Sequence, residues 1–238
     1  MNARTLLLRA AGRSMRRAAA IGIAIAALSG ADARAEIVRA ELFGSLVTAH
    51  DSDFNSAVDT GPFSAWGAGL SFPIALGIGI DTAYHYLSAE GTRQGFGLDF
   101  AAHTLTAGAR YQYAALDWLD VYGRLGAVMS RGSVDVALDA NSALSANAWA
   151  FGASASAGVE LHFPTESFWG DDPESLAKDF TFGVFFELGY QWLTDYDFGS
   201  PAVSLEESDF GDAARTTSAL GGFSLSSAFA RAGLMVRL

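Results

Sequence analysis

Apolar and polar side chains alternate one by one along most of the chain, and helical spacing is scarce after residue 36. In 149–163 the odd positions carry Trp149, Phe151, Ala153, Ala155, Ala157, Val159, Leu161 and Phe163. The even positions carry Ala150, Gly152, Ser154, Ser156, Gly158, Glu160 and His162. Segment 180–192 repeats the pattern with the other parity. Phe180, Phe182, Val184, Phe186, Leu188, Tyr190 and Trp192 share one face, and Thr181, Gly183, Phe185, Glu187, Gly189 and Gln191 share the other. Successive side chains of a strand point to opposite faces, so each segment predicts a strand with one apolar side. Both segments exceed the roughly 5–6 residues usual for soluble strands and reach the roughly 9–11 of a strand that crosses a bilayer.

Eight such segments can be counted, at about 37–49, 63–74, 75–88, 97–113, 117–131, 147–163, 180–193 and 222–238. The connections between them alternate in length. Short turns are expected at 73–74 and 114–116, with a longer polar excursion at 164–179 that holds Pro164, Asp171, Asp172 and Pro173. Longer loops are expected at 50–62, 89–96, 132–146 and 194–221. An even strand count with short turns on one side and long loops on the other predicts an all-β fold. It is an eight-stranded antiparallel up-and-down transmembrane β-barrel with short periplasmic turns, one of them longer, and long external loops.

Alternation alone does not say which face is outside. A soluble lipocalin-like barrel would turn its apolar face inward around a ligand and cover its exterior with Lys, Glu and Thr. Here the more polar face is mostly Gly, Ala and Ser, with one or two ionisable residues per strand. The apolar face is rich in Leu, Val and Phe and is flanked by Trp118, Tyr111, Tyr113, Tyr190 and Trp192 near strand ends. Aromatic girdles around an apolar band favour lipid contact, and small inner residues favour a narrow lumen.

Composition adds location. The first 17 residues carry Arg4, Arg9, Arg13, Arg16 and Arg17 and no acid; an apolar run follows at 18–28, then Ala33-Arg34-Ala35. A basic start, a short apolar run and an A-x-A site describe a secretory signal peptide, expected at 1–35 with cleavage before Glu36. Its apolar run is too short to span as a helix. The rest, 36–238, forms the barrel domain. Loss of the leader takes six arginines and one aspartate from 15 basic and 26 acidic residues, leaving 9 and 25 and a net charge of −16 over 203 residues. That balance argues against general nucleic-acid binding. Cysteine is absent, which removes disulfides, thiol nucleophiles and zinc–thiolate sites.

The last eight residues, Arg231-Ala232-Gly233-Leu234-Met235-Val236-Arg237-Leu238, place a polar residue, a glycine and two apolar residues at Arg231, Gly233, Val236 and Leu238. This resembles the C-terminal insertion signal of bacterial outer-membrane barrels, which usually ends in an aromatic residue where this chain has Leu238. Together with the leader and the strands, the chain resembles the small eight-stranded outer-membrane proteins, the group that includes the OmpA transmembrane domain, OmpX and OmpW. The resemblance is one of pattern over 36–238 and carries no residue motif of one member. It implies a bacterial outer-membrane location and, as partners, the barrel-assembly machinery, outer-membrane lipid and lipopolysaccharide.

Strand parity then yields a set of inward ionisable residues. The acids are Glu41, Asp81, Asp120, Glu160 and Glu187; the bases are Arg39, Arg110, Arg124, Arg231 and Arg237. Five face five, although acids greatly outnumber bases overall. The surplus falls in connections such as 50–62, 164–179 and 194–221. Eight strands leave just enough room for side chains to fill the bore, and unpaired charges there are costly, so mutual pairing and a plugged lumen are expected. Asp81, Arg124, Glu187 and Arg231 should lie near mid-barrel.

The resemblance also raises lipid-modifying enzymes, which use His with Ser and a carboxylate near the outer leaflet. The four histidines are His50, His85, His103 and His162. His50 with Ser52, and His85 with Ser88, are the nearest approaches to such a set, and neither predicts a catalytic site. His103 falls on the lipid-facing parity, which raises a one-residue shift of its strand. Acidic stretches such as Asp195-x-Asp197 and 206–209 offer oxygens to divalent cations without EF-hand spacing. No cofactor motif is present. The expected role is structural or surface-interacting; the alternatives are a transporter of small hydrophobic solutes, hinted at by inward Phe185 and Leu193, and a lipid-modifying enzyme.

Overall fold

The computed structural model of the protein describes residues 38–51, 54, 62–75, 77–93, 96–137, 143–163, 181–199 and 222–237. The leader at 1–35, the excursion at 164–179 and Leu238 lie outside the described residues. Among the described residues ten strands follow one another: β1 (Arg39–Ala49), β2 (Phe63–Ala75), β3 (Ile78–Arg93), β4 (Phe96–Leu116), β5 (Leu119–Ala137), β6 (Ala143–Phe163), β7 (Thr181–Leu193), β8 (Tyr196–Asp197), β9 (Gly222–Phe223) and β10 (Ser227–Arg237). Eight of them close a barrel in the order β1-β10-β7-β6-β5-β4-β3-β2, with every neighbouring pair antiparallel. The up-and-down topology is the one the alternation predicts.

The register sets the shape. Following partners around the ring leads from Ala49 through Ser227, Gln191, Ser154, Gly126, Gly108, Asp81 and Ser71 to Arg39, ten residues lower on β1. A stagger of that size across eight strands tilts them by roughly 40° to the barrel axis. The bore is then narrow, and glycines on its wall make space for large rings. A Cβ on Gly158 would stand 2.6 Å from the Tyr122 ring.

The strand ends differ from the expected ones at both rims. β2 continues past Pro73, and the turn is centred on Gly77, whose φ of +78° suits glycine. The next turn falls on Asp117-Trp118, three residues beyond the expected start of its loop. At the other rim, most of the predicted loops 89–96 and 132–146 are strand. Their outward positions are polar (Glu90, Asp99, Asp135), so they lack the apolar outer row that marks the lower strands. Residues 88–93 of β3 outrun their pairing with β2, and 143–151 of β6 outrun β7. The sheet β3-β4-β5-β6 therefore rises as a wall roughly 15 Å above the rest of the rim. The last barrel strand starts at Ser227, not 222; Gly222–Phe223 pairs instead with Tyr196–Asp197 in a small separate sheet. There Ser224 and Ser226 bond to Leu193, which turns Phe223 and Leu225 toward the bore.

The outer face carries a broad apolar belt. Leu42, Leu46, Ile74, Ile80, Leu125, Phe186, Leu188 and Leu234 are each more than half exposed. Tyr111, Tyr113, Trp118, Phe163 and Phe182 ring the belt at the end where β1 begins and β10 stops, and Trp66, Tyr84, Tyr86, Tyr190 and Trp192 ring it toward the other end. Along β7, Phe182 to Trp192 covers about 25 Å of height at this tilt, the height of a lipid-facing band. Strand β4 keeps its predicted parity without a shift. His103 faces outward, and its Nδ1 lies 2.7 Å from the Tyr84 hydroxyl.

Candidate functional site: the filled bore

The inward positions of the eight strands converge on one column of side chains. All ten ionisable residues expected inside face the bore, and each touches a partner of opposite charge. Glu41 receives Arg39 (2.6 Å), Arg110 (3.4 Å) and Arg124. Glu160 receives Arg39, Arg110 and Arg237 (2.7 Å). Arg124 spans the middle, reaching Glu187 (3.1 Å) and Asp81 (3.4 Å), and Arg231 caps Glu187 at 3.0 Å. Asp120 closes the lower rim with Arg237 and His162, both at 2.6 Å, and with Gln112. Both glutamates are buried on their side chains. Two carboxylates shared among several guanidinium groups offset the cost of burying the charges, which isolated ions at these positions would not.

Tyr122 is the hub of this network. Its ring lies under Arg110 (3.9 Å), Arg124 (5.0 Å) and Arg39 (5.5 Å), and its hydroxyl donates to Glu187 at 3.0 Å. Phe229 and Phe43 do the same for Arg231, at 4.2 and 4.9 Å. Cations over ring faces gain most where water is excluded. Tyr122 has the parity of Asp120 and Arg124, so alternation alone places it inside, although its charge-free side chain drew no attention. His85 is the other residue that charge counting misses. It is buried, with Nε2 2.8 Å from the Arg231 guanidinium and its ring edge-on to Phe43.

Above Arg231 the chemistry changes. A belt of Ser45, Thr104, Ser130, Gln191 and Ser227 separates the charges from an apolar upper bore. A cavity of about 30 Å³ sits there, beside His85 and Arg231, large enough for a water molecule. Higher still the wall supplies Leu87, Ala89, Ala102, Val134, Val136, Ala148 and Ala150, and the space between is filled by Phe54, Phe100, Tyr196, Phe198, Phe223 and Leu225. Tyr196 stacks on Phe198, and the other rings meet edge-on or tilted, with Phe54 5.3 Å from Phe100 and 5.0 Å from Phe223. Asp51 ties the cap down by accepting the backbone N–H of Phe54 (3.2 Å) and of Ser224 (2.6 Å). The Tyr196 hydroxyl donates to Ser130 at 2.6 Å. Burial pushes this phenol up to about 12, so it stays a donor well into the alkaline range where a free phenol ionises. Among the described residues this half of the bore is apolar and packed, not an open tunnel. Leu193 belongs to that packing, whereas Phe185 is fully buried lower in the bore, against Phe43 and Met235 and with its ring 5.6 Å from the Arg39 guanidinium.

At the opposite end the bore opens below the Arg39–Arg110 layer into a vestibule of about 750 Å³, lined by Arg39, Arg110, Gln112, Asp120, His162 and Arg237. Asp120, Glu160 and His162 bring ligand atoms within 4.8 Å of one another. Arg237 bonds to both carboxylates, so the position a cation would take holds a guanidinium. The other histidines form no triad among the described residues. His85 and Ser88 lie on opposite faces of β3, and His85 sits at mid-barrel. His50 rests on the Tyr190 ring at 5.3 Å, and Ser52 lies outside the described residues. Asp197 accepts the N–H of Gly199 at 2.9 Å, and the acidic stretch 206–209 is likewise outside the described residues. In the C-terminal signal, Arg231 and Gly233 face the bore and Val236 faces out.

No protein-family model matches the chain, and no curated protein is similar to it in sequence. Among solved structures it is similar to Ail, the attachment invasion locus protein of Yersinia pestis. That match has 12% identity over 85% of this chain and 97% of that one, with a TM-score of 0.41. Neisserial surface protein A is similar at 13% identity over 85% and 95% of the two chains, also with a TM-score of 0.41. The N-terminal barrel domain of Pseudomonas aeruginosa OprF is similar at 11% identity over 84% and 97%, with a TM-score of 0.35.

Proposed function

We propose that the chain is a bacterial outer-membrane β-barrel whose filled, charge-paired lumen carries no solute, and that its role is structural or surface-interacting. The observation that carries this reading is the polarity of the wall. Buried ion pairs face the bore while Leu, Ile, Phe and an aromatic rim cover the exterior. An exposed apolar surface of this extent on a water-soluble monomer is an aggregation liability; against lipid it is the required surface. On this reading the end where β1 begins and β10 stops faces the periplasm, and the wall β3–β6 with the acidic connections faces outward as the working surface. The leader at 1–35 serves export, and Arg231, Gly233, Val236 and Leu238 are offered to the assembly machinery.

The test is conductance of the refolded protein in planar bilayers, beside Arg231→Ala. Wild type should be silent. The variant removes the cap on Glu187 and the contact with His85 and should leak, because water can then enter beside the 30 Å³ cavity. Steady conductance from wild type would replace this reading with transport. Failure to insert would return the soluble barrel.

A further inference from the structure

The five lumen arginines all hold carboxylates, but Arg131 on the outer face of β5 holds none among the described residues. It sits in a continuous cross-strand row, Trp66, Tyr86, His103, Arg131 and Trp149, in which each residue pairs directly with the next from β2 to β6. The row climbs from the upper aromatic girdle toward the base of the tall wall. Its guanidinium carbon lies 6.0 Å from the Trp149 ring, and it donates to Asn147 Oδ1 at 3.4 Å. The Asn147 amide nitrogen is thereby left as an outward donor. His103 stands directly opposite, with its ring 5.0 Å from Tyr86 and its Nδ1 on the Tyr84 hydroxyl. When that hydroxyl donates to Nδ1, the ring proton sits on Nε2, a third donor.

We propose that Arg131, His103 and Asn147 form a seat for the phosphate of an outer-leaflet glycolipid headgroup. The proposal rests on the outer-membrane reading above and names a partner for that surface. A guanidinium matches a phosphate through two parallel N–H donors, and the neutral donors beside it extend the contact. The flanking tryptophans and tyrosines set the height, since such rings favour the boundary where acyl chains give way to headgroups. Glu90, Asp99 and Asp135 pair with one another across β3, β4 and β5 four residues further up. They repel an anion from the wall above, so the phosphate is confined to the level of Arg131. A cation without a carboxylate at an apolar boundary is costly, and an anionic headgroup is the counter-charge such a boundary supplies.

The test is lipid retention by the protein inserted in phosphatidylcholine nanodiscs that contain phosphorylated lipid A or its dephosphorylated form, read by native mass spectrometry. Wild type should retain the phosphorylated form about tenfold better, the size of one lost charge-assisted contact. Arg131→Ala should bring the two forms together, and Arg131→Lys, which keeps the charge without the fork, should fall between. Equal retention by wild type overturns the proposal, as does an undiminished preference in Arg131→Ala. Displacement of the lipid by millimolar inorganic phosphate overturns the headgroup assignment in favour of a free-phosphate site. Failure of the chain to insert overturns both this proposal and the outer-membrane reading; insertion with equal retention overturns this proposal alone.

Discussion

Below Arg231 the wall packs the bore with its own side chains, five arginines against five carboxylates around Tyr122. Above it the same wall offers alanines, valines and glycine, and rings arriving from outside the barrel strands, Phe54, Tyr196 and Phe223, take up the space. One half is filled by directional, mutually dependent contacts fixed to the strands. The other is filled by area-driven contacts that depend on connecting segments staying docked. The lower half cannot loosen without breaking the barrel, whereas the upper half can open locally while the strands stay paired.

The sharpest way to break this comparison is Arg124→Ala. The change leaves Glu41, Glu187 and Asp81 short of a counter-charge, and a loss of about 3–5 kcal/mol is expected. The urea midpoint of the lipid-inserted barrel should drop accordingly. Phe100→Ala removes a fully buried ring from the cap and should cost about 3 kcal/mol. Its effect should appear as faster proteolysis of the outer connections, with the barrel midpoint little changed. An equal fall in that midpoint would show the two halves to be one cooperative unit. The smallest expected effect belongs to Tyr196→Phe, about 1 kcal/mol for the bond to Ser130. Here pH sharpens the comparison. With the folded phenol at about 12 and the free one near 10, the native cap holds its proton longer than the unfolded chain. The contribution of Tyr196 is therefore complete below pH 10 and declines as pH rises from there toward about 12. Proteolysis across that range should accelerate in wild type and stay flat in Tyr196→Phe.

The same division separates what could be read in the sequence from what could not. The lower half obeys period two, so the parity of β1, β5 and β7 alone sends Arg39, Glu41, Asp120, Arg124 and Glu187 to one side. Parity also places Tyr122 and His85 inside; Tyr122 adds nothing to the count of charges, and His85 stands out in the sequence only as a candidate beside Ser88, not as a partner of Arg231. The upper half is carried by Phe54, Tyr196, Phe198 and Phe223; Tyr196 and Phe198 alternate with exposed Asp197 over too short a stretch to stand out, and the position of the group depends on capping contacts such as Asp51 to Ser224 that join residues 173 apart. The height of the wall was hidden for a related reason. Beyond the belt the exterior becomes polar, and Ser133, Asp135 and Ser145 look like a loop until their partners in neighbouring strands are known.

The ion pairs of the bore have a consequence for assembly. Apart from Arg39 with Glu41, they join residues far apart in the chain: 44 for Arg231 with Glu187, 83 for Arg124 with Glu41, and 117 for Arg237 with Asp120. A single hairpin therefore completes little of the network. An open sheet must keep these groups hydrated, and water leaves only when β1 meets β10. Ring closure is thus also the dehydration step. Until that seam is sealed the nascent barrel carries a wet, charged interior that opposes slipping sideways into lipid, and a misregistered seam would shut fixed charges away from their partners.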